Sequence, residues 1–293
     1  MLEGVILKGI GGFYYIAAEN GVYECRARGI FRKEGIRPTV GDAVRISVLD
    51  EEKKKGSLDE ILPRRNELIR PRVANVDQAV IVFAAKSPNM NLDLLDRFLL
   101  LAEEQALDIV IVINKIDLDK KARYAQAAQR YREVGYPVIC TSVEKGEGIA
   151  ELRQALEHKI SVFAGPSGVG KSSLLNAAFP ALELNTGAIS EKIQRGKHTT
   201  RHAELIQVAE DGYIVDSPGF TSLLLSHIPS ERLQYYFREF EPFRQDCYYN
   251  GCMHINEPDC AVKEAVEKEI SPDRYARYVS LYQELKEDEE RRR

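Results

Sequence analysis

One stretch constrains this chain more than any other: Gly165-Pro166-Ser167-Gly168-Val169-Gly170-Lys171-Ser172 satisfies the pattern G-x-x-x-x-G-K-[ST] in full. Ahead of it runs Ile160-Ser161-Val162-Phe163-Ala164, short, apolar and β-branched. Behind it runs Ser173-Leu174-Leu175-Asn176-Ala177-Ala178, a good helix start. Strand, glycine-rich turn and helix N-terminus are the context in which this pattern has meaning. Gly165, Gly168 and Gly170 let backbone N–H groups converge on phosphate oxygens, and the helix N-terminus adds partial positive charge. Lys171 reaches the β- and γ-phosphates, and the Ser172 hydroxyl is a Mg²⁺ ligand. An ordinary glycine-rich strand–helix turn is the alternative. Either way the segment predicts an α/β domain.

The surrounding pattern agrees. From Asn75 onward, strands at 78–84, 108–113 and 137–141 alternate with helices at 92–105, 120–134 and 148–158. Buried strands alternating with helices argue for a parallel sheet covered on both faces. Residues 1 to about 66 read differently. Strand-like runs at 13–18, 22–27 and 42–48 are punctuated by Gly11-Gly12, Asn20-Gly21, Pro38 and Gly41. Asn20-Gly21 between two such runs is a hairpin signal. The whole suggests a small barrel, with the oligonucleotide-binding (OB) type leading. Arg26, Arg28, Arg32, Lys33 and Arg37 face only Glu34, with Phe31 among them. Cations beside an aromatic ring on a small barrel suit irregular RNA; a solvated loop next to a core phenylalanine is the competing reading. Pro63-Arg64-Arg65-Asn66 and Arg70-Pro71-Arg72 read as a linker.

Two more motifs fall at strand ends. Asn114-Lys115-Ile116-Asp117 matches N-K-x-D, a guanine reader. The Asp117 carboxylate accepts from guanine N1–H and the 2-amino group, whereas adenine would leave it unpaired. Asn114 serves the base edge or neighbouring loops, the Lys115 stem lies against the ring, and Thr141-Ser142-Val143 offers a backbone N–H to guanine O6. Strands follow at 203–208 and 213–215, and then Asp216-Ser217-Pro218-Gly219 matches D-x-x-G. Asp216 would hold Mg²⁺ through water and the Gly219 amide would bond the γ-phosphate. In the basic segment 191–202, a switch threonine is expected at Thr200, with Thr199 next in line. Ser173 completes the expected nucleotide contacts. The order is informative: N-K-x-D comes first, then the phosphate loop, then D-x-x-G, a rotation of the usual GTPase order. Packed elements tolerate such a rotation when the termini lie close. It leads Phe220 and Thr221 directly into the C-terminal region, so nucleotide state is expected to pass mechanically into that region.

Three of the five cysteines crowd into the last fifth of the 293 residues. Cys247, Cys252, His254 and Cys260 read C-x₄-C-x-H-x₅-C, three thiolates and one imidazole for a closed, structural Zn²⁺ site. Helices are expected at 229–240, 261–270 and 273–287. A net charge of −4 confines any nucleic-acid binding to local patches. No apolar run reaches membrane-spanning length, and the first ten residues lack a signal-peptide layout, which predicts a cytosolic chain.

The rotated motif order, the barrel and the Cys/His cluster together resemble the circularly permuted, ribosome small-subunit-dependent GTPase family of bacteria (RsgA, also called YjeQ or YloQ). Gly196-Lys197-His198-Thr199-Thr200 and Asp216-Ser217-Pro218-Gly219-Phe220 belong to that likeness, which covers nearly the whole chain. It implies an OB barrel over 1–66, a permuted GTPase domain over 67–226 and a mostly helical zinc domain over 227–293. It further implies GTP/GDP, Mg²⁺ and one Zn²⁺, cytoplasmic residence without a membrane, and a monomer when free. The small ribosomal subunit and its rRNA would be the partner, with a role in late subunit maturation and hydrolysis stimulated by the subunit. Phe220 stands where a water-orienting glutamine is usual, and an apolar side chain cannot orient water. Slow intrinsic turnover is therefore expected, with His198 or the partner supplying the missing group. Two other classes compete: a phosphate-loop ATPase or kinase, against which Asn114-Lys115-Ile116-Asp117 argues, and an RNA-binding assembly factor in which GTP only times release.

Overall fold

The computed structural model describes residues 1–69, 71–182, 203–209, 211–216 and 225–292, with the side chains of Arg32 and Asp216 excluded. His198, Thr199, Thr200 and Gly219 lie outside the described residues, as does the Asp216 side chain.

The N-terminal strands β1 (Leu2–Ile10), β2 (Phe13–Ala18), β3 (Gly21–Ala27), β4 (Ala43–Asp50) and β5 (Lys55–Ile61) close into a barrel in the order β1-β2-β3-β5-β4. β1 closes antiparallel on β4, and β3 runs parallel to β5. This is the five-stranded OB-type arrangement. Ala18 pairs with Gly21, so the hairpin turns on Glu19 and Asn20, one residue earlier than the Asn-Gly signal places it. Gly21 takes the positive φ at the start of β3. Ile6, Ile16, Tyr23, Cys25, Val44, Ile46 and Leu58 fill the barrel. Phe31, on the short helix α1 (Gly29–Lys33), plugs into that same core. It is therefore not a stacking platform. Within the basic set, Arg26 meets a different ring, its exposed guanidinium lying 4.6 Å from the Phe13 centroid.

The expected linker is a tightly stitched ribbon rather than a tether. β6 (Glu67–Ile69) pairs with β7 (Arg72–Ala74). Arg64 binds both oxygens of buried Asp42, at 2.6 and 2.9 Å, and also pairs with Glu67. Asn75 donates to the Gly41 carbonyl at 2.9 Å. Val5, Leu7, Ala17 and Val40 of the barrel pack into the same core as Val73 and Leu205. Barrel and sheet thus share buried surface.

The central sheet contains β8 (Gln78–Ala84), β9 (Asp108–Asn114), β10 (Val138–Cys140), β11 (Ile160–Ala164), β12 (Glu204–Ala209) and β13 (Gly212–Asp216). Their spatial order is β10-β9-β8-β11-β13-β12, parallel except for the β12–β13 edge. Side chains alternate along β8. Ala79, Ile81 and Phe83 face one core with helices α2 (Leu92–Glu104) and α3 (Arg123–Glu133). Val80, Val82 and Ala84 face the other with α4 (Ile149–Leu156) and α5 (Lys171–Ala178). The period-two alternation of a strand buried on both sides accounts for the unbroken apolar run in the sequence.

The C-terminal region departs from the expected long helices. Residues 229–240 form two 3₁₀ pieces, Ser230–Tyr236 and Arg238–Phe240. The stretch 261–270 is helical only over Ala261–Glu264, after which the chain folds back so that Glu267 N donates to the Ile270 carbonyl at 3.0 Å. Tertiary contacts override local propensity here. Ser230 is held by Glu289, Gln234 by His254 and Arg238 by Glu103. The helix Pro272–Glu290 forms as expected and docks on α2 through a buried ionic node. Arg274 donates to Asp96 and, at 2.7 and 3.1 Å, to Glu239, while Arg277 and the Tyr131 hydroxyl also bind Asp96. Buried charges are tolerable when each is paired and fully hydrogen-bonded. Among the described residues no helix is long and apolar enough to cross a membrane.

Candidate active site and metal centre

The C-terminal ends of β8, β9, β10 and β11 bring four loops to one edge of the sheet, where open parallel sheets bind ligands. The phosphate loop follows β11. Gly165, Gly168 and Gly170 all have positive φ, at 126°, 78° and 98°. A Cβ at Gly165 would sit 2.0 Å from the Val82 carbonyl oxygen, and one at Gly170 would sit 2.5 Å from Asn114 Nδ2. These two glycines let the loop lie directly on β8 and on Asn114. Lys171 opens α5 and donates to the carbonyls of Gly165 and Pro166 at 2.8 and 2.9 Å. Burial pushes its amine down to about 8. Ser172 is buried in the first turn of the same helix.

The four-residue motif after β9 divides its work. Asn114 is buried. Its Nδ2 donates to the Val169 carbonyl at 2.9 Å, and its Oδ1 accepts from the Thr141 hydroxyl at 3.1 Å. Asn114 is thus a strut between loops. Lys115 has a left-handed backbone and spans the phosphate loop, its amine donating to the Ser87 and Gly168 carbonyls at 2.5 and 2.6 Å. That pins its amine across the phosphate loop. Asp117 is half-buried, and its Oδ1 accepts from the Ser142 hydroxyl at 2.6 Å, leaving Oδ2 for a ligand. Ile116 is buried beneath them, where its amide donates to the Thr141 carbonyl at 3.2 Å. The Thr141 and Ser142 amides are engaged with the Ile113 and Glu147 carbonyls. Of the expected trio, only the Val143 amide is not engaged in this way. Ser142 contributes through its hydroxyl instead.

Sequence reasoning missed Ser87. No motif marks it, because it acts through its carbonyl. The only trace is its position just past a strand end.

The sheet order explains how these parts came together. The chain enters at β8 in the middle, runs outward to β10, returns to β11 beside β8, and only then builds β12 and β13. Started at β11 and closed from β13 to β8, the same sheet would place the phosphate loop first. A sheet wound in this way, with an N-K-x-D motif ahead of its phosphate loop, is that of a circularly permuted P-loop GTPase. A family model described as RsgA GTPase matches residues 61–226, and one described as RsgA N-terminal domain matches residues 3–57. The chain belongs to the RsgA GTPase family and is a GTP hydrolase.

Relatives agree over the full length. A protein named small ribosomal subunit biogenesis GTPase RsgA from Alkaliphilus metalliredigens is 50% identical over 289 residues, 98% of this chain and 99% of its own. One of the same name from Caldanaerobacter subterraneus is 50% identical over 292 residues, 99% and 98% of the two chains. Among solved structures, YjeQ from Thermotoga maritima superposes with a TM-score of 0.84 at 39% identity, covering 97% of this chain and 98% of that one. YloQ, described as a circularly permuted GTPase, gives 0.81 at 40% identity, covering 98% and 96%.

The C-terminal cluster is equally compact. The ligand atoms of Cys247, Cys252, His254 and Cys260 all lie within 4.8 Å of one another. His254 is 1% exposed, and burial pushes its imidazole down to about 4, which keeps it neutral with a free lone pair. Burial pushes the Cys252 thiol up. Three thiolates this close are tenable only around a cation, and a donor set of three sulfurs and one nitrogen fits Zn²⁺. A bound zinc would supply a fourfold crosslink between otherwise irregular turns.

Lys171 yields a pH prediction. Only its protonated form attracts phosphate, and in the free protein that form is lost as pH rises through about 8. GTP affinity should be flat below that value and fall by up to about tenfold per pH unit above it. Calorimetric titration between pH 7 and 9 reads the slope. Lys171→Met should bind weakly without that slope; a Lys171→Met slope equal to wild type would reject the assignment.

Proposed function

We propose that this chain binds the small ribosomal subunit and its rRNA late in assembly and hydrolyses GTP to GDP faster on the subunit than alone. The observation that carries this reading is similarity over the whole chain, barrel and Cys/His region included, to proteins named for small-subunit biogenesis. In the proposed assignment, residues 1–66 form the RNA-binding barrel, 67–226 the GTPase domain and 227–293 the zinc domain. Exposed Arg26, Arg28, Lys33 and Arg37 supply cations to rRNA. Asp117 reads the guanine edge, against a wall made by Lys115 and braced by Asn114, Ile116, Thr141 and Ser142. The amides of residues 165–173 and Lys171 hold the phosphates. Ser172 ligates Mg²⁺, with Asp216 acting through water. Thr200, with Thr199 beside it, and the Gly219 amide sense the γ-phosphate. His198 orients the attacking water. Cys247, Cys252, His254 and Cys260 hold one Zn²⁺. The chain acts in the cytoplasm, alongside its proposed partner, and is a monomer when free.

The test is GTP turnover with and without purified small subunits, with large subunits as the control. Small subunits alone should accelerate turnover by about 10²-fold, the scale of one supplied positioning group. Equal rates in all three conditions would remove the ribosomal assignment. His198→Ala should lose most of the stimulated rate while still binding GTP; unchanged stimulated turnover would take water orientation away from His198.

A further inference from the structure

The metal centre has a fifth participant that the motif does not contain. Gln234 lies on the 3₁₀ segment Ser230–Tyr236 and is buried. Its Oε1 is 2.9 Å from Nε2 of His254, and its Nε2 donates to the Cys252 carbonyl at 3.2 Å. The second contact fixes the first. A carbonyl only accepts, so the amide nitrogen must face Cys252 and the amide oxygen must face the ring. An amide oxygen also only accepts, so Nε2 of His254 carries the proton. The lone pair is then on Nδ1. That atom lies 3.3 Å from Cys260 Sγ and 3.5 Å from Cys247 Sγ, inside the thiol cluster. Phe240 packs edge-on against the ring at 5.7 Å, and the Tyr275 hydroxyl donates to the His254 carbonyl at 2.7 Å. Together these contacts set the ring plane, the tautomer and the local backbone of His254.

We infer that Gln234 is a positioning residue of the metal centre, which fixes His254 as an Nδ1 ligand and ties the 230–238 segment to the metal. This rests on the proposed zinc reading of the cluster. Ligating histidines commonly hold their second ring N–H against an acceptor, which orients the ring and raises its basicity. Here the acceptor sits on the stretch that follows the nucleotide sheet. Four residues after Gln234, Arg238 donates to Glu103 of α2 at 2.6 Å, and four residues before it, Ser230 is bound by Glu289 of the terminal helix. Through Gln234 a bound metal would therefore anchor the segment that joins the GTPase domain, the Cys/His turns of residues 247–260 and the terminal helix. Neither Gln234 nor its spacing appears in the Cys/His pattern, so only the fold reveals it.

The experiment uses the full chain loaded with Zn²⁺, with metal content measured first. Long-range ¹H–¹⁵N spectra of the histidines should show His254 metal-bound at Nδ1 and protonated at Nε2. Transfer of zinc to a chromogenic chelator should be about 10–100-fold faster from Gln234→Met than from wild type. Gln234→Glu, which still accepts from Nε2–H, should fall between the two. A spectrum showing Nε2 bound to metal would overturn the inference, as would wild-type release from Gln234→Met. Wild-type protein that takes up no zinc would instead overturn the zinc reading itself. The spectrum needs only wild-type protein, so the inference stays testable even if a variant folds poorly.

Discussion

Removing the proposed zinc with a strong chelator should unfold the knuckle spanning residues 241–264 and leave GTP affinity of the GTPase domain unchanged. The reason lies in how little else holds that stretch. Its regular structure amounts to two four-residue helices, Glu241–Arg244 and Ala261–Glu264, each too short to persist alone. Cys252 and Cys260 are themselves buried members of the local core, beside Phe240, Val262 and Tyr278. Losing the ligand set therefore opens the core as well as the crosslink. Structural zinc contributes about 10–16 kcal/mol in small finger peptides, comparable to the whole stability of a typical domain. The terminal helix should stay docked, because its grip on α2 runs through Arg274, Arg277 and Asp96 and not through the cluster. Hydrogen exchange is the direct readout. Amides of 241–264 should lose protection while those of β8, β9 and β11 keep theirs. Cys260→Ser should reproduce the pattern without chelator. Full protection of 241–264 in the metal-free protein would show that packing alone holds the knuckle.

Much of this architecture was legible in the sequence because its chemistry is carried by side-chain identity at fixed spacing. The phosphate loop, Asn114 to Asp117 and the Cys/His set each announce themselves that way, and the rotated order of motifs is recovered in the strand order. What stayed hidden works through backbone atoms or across long separations. The Ser87 carbonyl that receives Lys115 has no sequence signature. Gln234 lies 20 positions from the histidine it orients. Phe31 looked equally suited to stacking on RNA and to filling a barrel, since an aromatic side chain serves either use; only burial separates them. The 229–240 stretch has adequate helical propensity, yet three anchors at Ser230, Gln234 and Arg238 impose a tighter path. Propensity sums local terms, and those anchors are not local.

Asp117→Asn should cost about 10²–10⁴-fold in GTP affinity and make xanthosine triphosphate the preferred nucleotide. The carboxylate offers only acceptors, and guanine presents only donors along N1–H and the 2-amino group. Two charge-assisted hydrogen bonds at about 1.5–3 kcal/mol each set the scale of the loss. The inversion depends on Ser142. Its hydroxyl donates to Asp117 Oδ1 at 2.6 Å, and the same bond would hold the asparagine with its carbonyl toward Ser142 and its NH₂ toward the base. That NH₂ opposes the 2-amino group of guanine. Xanthine carries a carbonyl oxygen at this position, so the clash of donors becomes a hydrogen bond. Adenine nucleotides gain nothing, having neither group. Competition binding of GTP, ATP and XTP to Asp117→Asn measures all three consequences, and XTP turnover on the proposed small-subunit partner would show whether the rest of the site remains intact. Retained GTP preference in a folded Asp117→Asn protein would mean that guanine is read elsewhere. Removing the Ser142 hydroxyl in the same background separates orientation from chemistry. Asp117→Asn/Ser142→Ala should lose part of the XTP gain, because the amide would then be free to turn its oxygen back toward the base.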